Sequence, residues 1–492
     1  MAKAIMVQGT MSNSGKSLLC AGLCRVFYQD GYRVAPFKSQ NMALNSFITR
    51  EGLEMGRAQA VQAEACGAEP HVRMNPILLK PVTNTGSQVI VNGEVRGNRS
   101  AAEYFAMKKS LVPDILCAYN TLAAENDIVV IEGAGSPAEI NLRQDDIVNM
   151  GMARLAGAPV LLVGDIDRGG VFAQLYGTVA LLSGGGERDL VKATVINKFR
   201  GDIALLRPGL AMLEELTGKP VAGVLPYLDV DIDDEDSLSE RFAARKAGGG
   251  LDIAVIRLPR ISNFTDFTAL SATDGVGLRY VSSPRALGAP GLVILPGTKS
   301  TIADLLWLRE TGLEAAVKRL AAGGTPIVGV CGGYQMLGER VTDAEGVEGG
   351  GSVAGMNLLP VATAFTPEKR RTRVSARACT VRGALAPLSG VEIEGYEIHM
   401  GVTTLKAGAS PLLTLSCGEP DGCQRGSVYG TYLHGFFDTA ACREALIKSF
   451  SGEPAEAFDY AAYRERQYDA LAAAVRENLD MKLIYRILEE GV

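Results

Sequence analysis

Cys331, within Val328-Gly-Val-Cys331-Gly-Gly-Tyr-Gln335, stands where a nucleophile would be placed. A β-branched run ends in a thiol, two glycines follow, and an amphipathic stretch from Tyr334 to Arg340 begins. A thiol on such a strand-to-helix turn lies where the helix dipole favours thiolate and where a backbone N–H can receive an oxyanion. A packed, inert cysteine gives the same local pattern, so a base must be found. Three histidines exist, His71, His399 and His434. His434 closes the apolar run Val428-Tyr-Gly-Thr-Tyr-Leu-His434 and is the best partner, since nucleophile and base of such sites meet in the fold rather than along the chain. Pro296-Gly297-Thr-Lys-Ser300 is another strand end; its Gly297 N–H and that of Gly332 are candidates for an oxyanion hole.

A second chemistry is written near the start. Gly9-Thr-Met-Ser-Asn-Ser-Gly15-Lys16-Ser17 follows a buried strand over 4–8 and opens a helix that runs to Asp30-Gly31. Backbone N–H groups of such a loop cradle phosphates, Lys16 neutralises the β and γ oxygens, and the Ser17 hydroxyl suits Mg²⁺. Gly9, Thr10, Asn13, Gly15, Lys16 and Ser17 are therefore the candidate ATP contacts. Five residues separate the two glycines instead of the common four, and in this the loop resembles the dethiobiotin synthetase-like branch of P-loop proteins. Glu132, at the end of Asp127-Ile-Val-Val-Ile-Glu132, is a candidate second Mg²⁺ ligand, and the glycines after it let another group approach closely. Asn197, after the strand from Ala193, suits a purine edge, with a turn role as the alternative.

The elements that must hold these groups read as two α/β, doubly wound domains. Strands at 4–8, 34–38, 127–132, 159–164, 193–200 and 221–226 alternate with helices, and a second series begins at 251–256, 291–297 and 326–330. The expected division is a P-loop domain over 1–228, a linker over 229–250 and a second domain, carrying Cys331 and His434, over 251–445. A helical extension over 446–492 completes it. Six of the eight residues from Asp229 to Asp236 are acidic, as in a solvated linker. Leu471, Val475, Leu479 and Leu483 form one stripe of a C-terminal helix, read as core docking. Ser39 to Ser46 reads as a loop over the nucleotide site.

Bulk properties narrow the function classes. With 47% hydrophobic and 21% charged residues, the 492-residue chain can bury large cores. A net charge of −6 argues against a nucleic-acid or anionic-membrane surface and towards a small-molecule substrate. Nine irregularly spaced cysteines fit a reducing cytoplasm better than a disulfide scaffold. No targeting segment and no transmembrane-length apolar run are expected.

Cys331-Gly-Gly-Tyr-Gln335 with the distal His434 resembles the class I glutamine amidotransferase domain. Together with the N-terminal loop, Ser39-Gln-Asn-Met-Ala-Leu-Asn45, Glu132-Gly-Ala-Gly-Ser-Pro-Ala-Glu139 and Tyr396-Glu-Ile-His399-Met-Gly401, the chain is similar nearly end to end to the cobyric acid synthase family. That resemblance implies ATP-dependent amidation of four peripheral carboxylates (b, d, e and g) of the corrinoid adenosylcobyrinic acid a,c-diamide, through acyl phosphates. L-glutamine is the implied co-substrate and ammonia source, and a sheltered path for ammonia is expected. Gln40, Asn41, Asp146 and Arg168 stand as candidate substrate contacts. Most class I amidotransferases carry a glutamate two residues after the histidine, but here that residue is Phe436, and spacing selects neither Asp438 nor Glu397 in its place. His399 lines the glutamine site or simply closes a strand, and Arg370, Arg371 and Arg373 meet a polycarboxylate or form a solvated face. A cobyrinic acid a,c-diamide synthase is the nearest alternative, and a P-loop switch ATPase with an inactive amidotransferase-like domain is another. Oligomeric state is open.

Overall fold

The computed structural model describes residues 2–82, 86–182, 186–232, 250–452 and 458–492. The chain folds into two compact units that do not follow its linear order: Met1–Ala43, Leu53–Leu238 and Ala461–Val492 form the first, Leu44–Gly52 and Ser239–Tyr460 the second. Most of the expected linker, residues 233–249, lies outside the described residues, including the end of the acidic run and the start of the glycine segment.

In the first unit six parallel strands lie in the order Val221–Pro226, Val191–Phe199, Val160–Asp165, Lys3–Gly9, Ile128–Glu132, Val34–Phe37. The central strands read as unbroken apolar runs because both faces are covered; all five residues of Ile128–Glu132 are buried. The helix Lys16–Gln29 packs on one face through Leu19, Cys20, Leu23, Cys24 and Phe27, so Cys20 and Cys24 are core residues.

The C-terminal helices Tyr460–Asn478 and Met481–Glu490 cover the same core. Leu471, Val475 and Leu479 are buried there, whereas Leu483 is only partly covered because the second helix turns Ile484, Ile487 and Leu488 inward. Arg25, buried in the first helix, reaches Asp469 at 2.7 Å and Glu465 at 2.8 Å. Residues 461–492, within the expected helical extension over 446–492, thus complete the first unit.

The expected loop at Ser39–Ser46 divides differently. Gln40–Met42 is a short strand, parallel to Ile77–Pro81, in a four-stranded sheet completed by Gly86–Val91 and Glu94–Ser100. Residues 44–52 belong to the second unit.

The second unit is built on the order Val276–Val281, Leu251–Ile256, Leu292–Leu295, Ile327–Val330, Val428–Thr431, Cys423–Arg425. Only the last strand runs antiparallel. A long hairpin of Val361–Ala378 and Glu392–Leu405, not anticipated from the sequence, anchors another sheet. No helix among the described residues is long and apolar enough to cross a membrane.

Candidate functional site

In the second unit, Val330 pairs with Thr431 across adjacent parallel strands, and the Cys331 N–H donates to Thr431 O at 2.8 Å. Cys331 and His434 therefore leave the same sheet edge side by side. Cys331 has φ 52° and ψ −109°, a left-handed conformation that a non-glycine residue adopts only where its surroundings enforce it. The helix after it, Gly332–Leu337, begins and ends earlier than the expected stretch. It sits so close to Leu292–Leu295 that a Cβ on Gly333 would fall 2.0 Å from Leu295 O.

His434 is buried, and Cys331 lies near enough for its sulfur to act on the imidazole. Its Nδ1 lies 2.6 Å from Asp266 Oδ2, and the other oxygen of Asp266 accepts from the Gly435 N–H at 3.2 Å. Burial alone would lower the imidazole pKa, but the Asp266 carboxylate, helped by the Cys331 sulfur, raises it to about 10. Tyr396 stacks on the ring at 5.2 Å, and its hydroxyl accepts from Asn263 Nδ2 at 2.6 Å. Gly297 abuts the same ring, since a Cβ there would meet His434 Cε1 at 3.0 Å, and Gly332 faces Thr298.

The acid on His434 is thus Asp266, from the short turn Phe264–Phe267, and neither Asp438 nor Glu397, between which spacing did not choose. Glu397 is engaged by Arg370 at 2.8 Å. His399 stacks on Tyr432 at 3.7 Å with Nδ1 2.8 Å from Gly401 O, and so braces the wall behind Ile398, whose carbonyl is 3.6 Å from Cys331 Sγ. Arg370 also meets Glu419, and Arg373 donates to Ile48 O, so these two arginines serve the unit's own structure.

In the first unit, Gly15 caps the helix Lys16–Gln29 at φ 88°, and a Cβ there would lie 2.0 Å from Asn197 Nδ2. Asn197 Nδ2 donates to Ser14 O at 2.9 Å while its Oδ1 accepts from the Lys198 N–H, so the carboxamide expected to read a purine braces the phosphate loop and keeps a second N–H and a second lone pair. Lys198 Nζ reaches Asn13 O at 2.7 Å, Thr10 Oγ1 donates to Gln174 Oε1 at 3.1 Å, and Lys16 Nζ donates to Met11 O at 3.0 Å. Gly9 lies tightly under the loop at Ser14.

Register places Glu132 beside Val7 at the end of the strand that feeds the loop, and Ser17 Oγ donates to Glu132 Oε1 at 2.8 Å. Three further groups converge on that carboxylate: Lys38 Nζ at 2.7 Å, Gln62 Nε2 at 2.6 Å and Gln59 Nε2 at 3.1 Å. Burial would raise the Glu132 pKa, yet Lys38, then the donors of Gln62 and Ser17, hold it below the usual glutamate value. Lys38, Gln59 and Gln62 are site residues that sequence reasoning missed. The signal was there: two glutamines three apart, on one face of the alanine-rich helix Arg57–Ala65.

The hydroxyl of Ser17 and the carboxylate of Glu132 are adjacent hard oxygens, which fit Mg²⁺. Among the described residues no cluster of three His, Cys, Asp or Glu side chains is arranged to hold a metal, so such an ion would share its shell with nucleotide phosphates. Of the candidate substrate contacts, Gln40 and Asp146 line a cavity of about 660 Å³. Asn41 is buried and bonds Gln59 at 3.3 Å, while Arg168 lies 3.9 Å from Asp165 at another strand end.

Two family models match: the CobQ/CobB/MinD/ParA nucleotide binding domain over residues 5–238, and the CobB/CobQ-like glutamine amidotransferase domain over 252–442. The chain is 58% identical to a cobyric acid synthase of Ruminiclostridium cellulolyticum, with 100% of this chain and 98% of that protein covered. It is 57% identical to the cobyric acid synthase of Lachnoclostridium phytofermentans, with both chains covered completely. Identity to that of Citrobacter koseri is 51%, with 100% and 99% covered.

Proposed function

The chain belongs to the cobyric acid synthase family, and from that premise we propose how its residues divide an ATP- and glutamine-dependent amidation. Cys331 gives its thiol proton to His434 and attacks the side-chain carbonyl carbon of glutamine, and the oxyanion rests on the N–H groups of Gly332 and Gly297. As the C–N bond breaks, His434 gives its proton to the departing ammonia. Water then attacks the thioester, His434 takes the water's proton, and glutamate leaves with the thiol restored.

In the first unit a substrate carboxylate oxygen attacks the γ-phosphorus of ATP and ADP departs. Ammonia attacks the acyl phosphate and displaces inorganic phosphate. Lys16, Lys38 and the loop N–H groups carry the charge that develops on the phosphates. Ser17 and Glu132 would hold Mg²⁺, which when bound neutralises the β and γ oxygens. The acceptors are the b, d, e and g carboxylates of adenosylcobyrinic acid a,c-diamide. Nine free cysteines suit the cytoplasm as the place of reaction.

The observation that carries this reading is the Asp266-held His434 leaving the same sheet edge as Cys331, in the same chain as a P-loop whose Ser17 meets Glu132. Mass spectrometry of the products formed from the a,c-diamide, MgATP and glutamine tests it. Four amide increments are expected, and unchanged substrate would rule the reading out.

A further inference from the structure

The cavity of about 660 Å³ in the first unit has a place and a chemistry that the reactions above leave unassigned. Two of its walls lead straight to the phosphate site. Ala134 and Gly135 follow Glu132 by two and three residues, and Gln40 follows Lys38 by two. Glu132 and Lys38 are themselves bonded to each other at 2.7 Å. The cavity thus lies within two to three residues along the chain of the groups placed at the phosphate site.

The bed of the cavity is apolar and open. Met42, Phe105 and Leu142 line it at 59%, 39% and 49% exposure, a cluster of large apolar side chains that a soluble surface rarely leaves uncovered. A buried cation stands among them. Lys108 also lines the cavity, is only 8% exposed, and holds its ammonium 4.0 Å over the Phe105 ring. It makes no ion pair among the described residues, because its two nearest acids are engaged elsewhere. Asp145 pairs with Lys109, and Asp146 accepts from the N–H groups of Val148, Asn149 and Gly151 at 2.8, 3.0 and 2.9 Å. Burial, with Lys109 nearby, holds the Lys108 pKa below the ordinary lysine value against the pull of Asp146 and Asp145. Arg99 and Arg143 also line the cavity, but Arg143 is tied to Glu187.

We propose that this cavity binds the corrinoid, its macrocycle lying on Met42, Phe105 and Leu142, with Lys108 pairing one peripheral carboxylate while another is presented to Glu132 and Lys38. The assignment rests on the amidation reading above. It gives Asp146 a structural part, shaping the wall through backbone bonds instead of touching substrate. It also gives the site a means of telling acid from amide, since Lys108 gains an ion pair only from a carboxylate.

Equilibrium binding of two corrinoids, followed by their visible absorption, tests the assignment on the full chain. One is the a,c-diamide and the other the fully amidated corrinoid of the same ring, with MgATP binding measured alongside as a check on folding. Lys108→Met should weaken the acid at least tenfold and the amide less than twofold, and Leu142→Asp should weaken both. Equal affinity of wild type and both variants for the a,c-diamide would overturn the assignment while leaving the amidation reading intact. If the wild-type chain binds neither corrinoid, the amidation reading itself fails.

Discussion

The His434 Nδ1 and Asp266 Oδ2 atoms lie 2.6 Å apart in a buried site, and that contact fixes which ring nitrogen is left for Cys331. With Nδ1–H donated to the carboxylate, the far side of the imidazole faces the sulfur, as in a nucleophile–base–acid relay. Asp266→Asn should lower glutamine hydrolysis by roughly 10²- to 10³-fold with little change in KM for glutamine, because orientation and imidazolium stabilisation are lost but the binding surface is kept. Steady-state ammonia release measures it.

The same pair sets a pH dependence. His434 is raised from the usual 6.5 to about 10, so its contribution to stability is complete below about pH 6.5 and is lost as pH rises towards 10. Urea unfolding of the wild type should show that decline between pH 7 and 10. In Asp266→Asn the decline should be much flatter.

Lys38 and Glu132 make a buried pair at 8% and 1% side-chain exposure. Lys38→Met leaves an uncompensated carboxylate and should cost about 3–5 kcal/mol. In the wild type the Glu132 contribution is present above the ordinary pKa of 4.5 and is lost as pH falls through its lower folded value. Thermal melts between pH 6 and 3 should therefore converge for wild type and variant at the acid end.

Gly15→Ala sets a methyl group against Asn197 at a φ that alanine resists. ATP affinity should fall at least tenfold, by roughly the cost of reshaping one loop. Isothermal titration with MgATP would show it.

Leu471 is 1% exposed in the core shared by the first strands and the C-terminal helices. Leu471→Ala should destabilise the chain by about 2–5 kcal/mol, although it lies in neither site. A differential-scanning melt reads the loss directly.

How much of this was legible in the sequence follows from what each residue advertises locally. Cys331, His434, Lys16, Ser17 and Glu132 all end apolar strands or follow glycines, a pattern visible without tertiary knowledge. Asp266 advertises nothing, because it sits in a four-residue turn and reaches His434 only once the sheet at Leu251–Ile256 has folded. The small sheet around Gln40–Met42 was hidden for a similar reason: a three-residue strand is set by its partner Ile77–Pro81, not by its own composition. That Asn197 also braces the phosphate loop through Ser14 is a contact that sequence cannot show.

The central claim is that Cys331 makes ammonia while Lys16, Ser17 and Glu132 prepare the acceptor. Amidation of the a,c-diamide by Cys331→Ala with MgATP decides it, comparing glutamine with ammonium chloride as nitrogen source. The account predicts that glutamine-driven product disappears while ammonium-driven product persists near the wild-type rate. Loss of both activities in a folded, ATP-binding variant would contradict it.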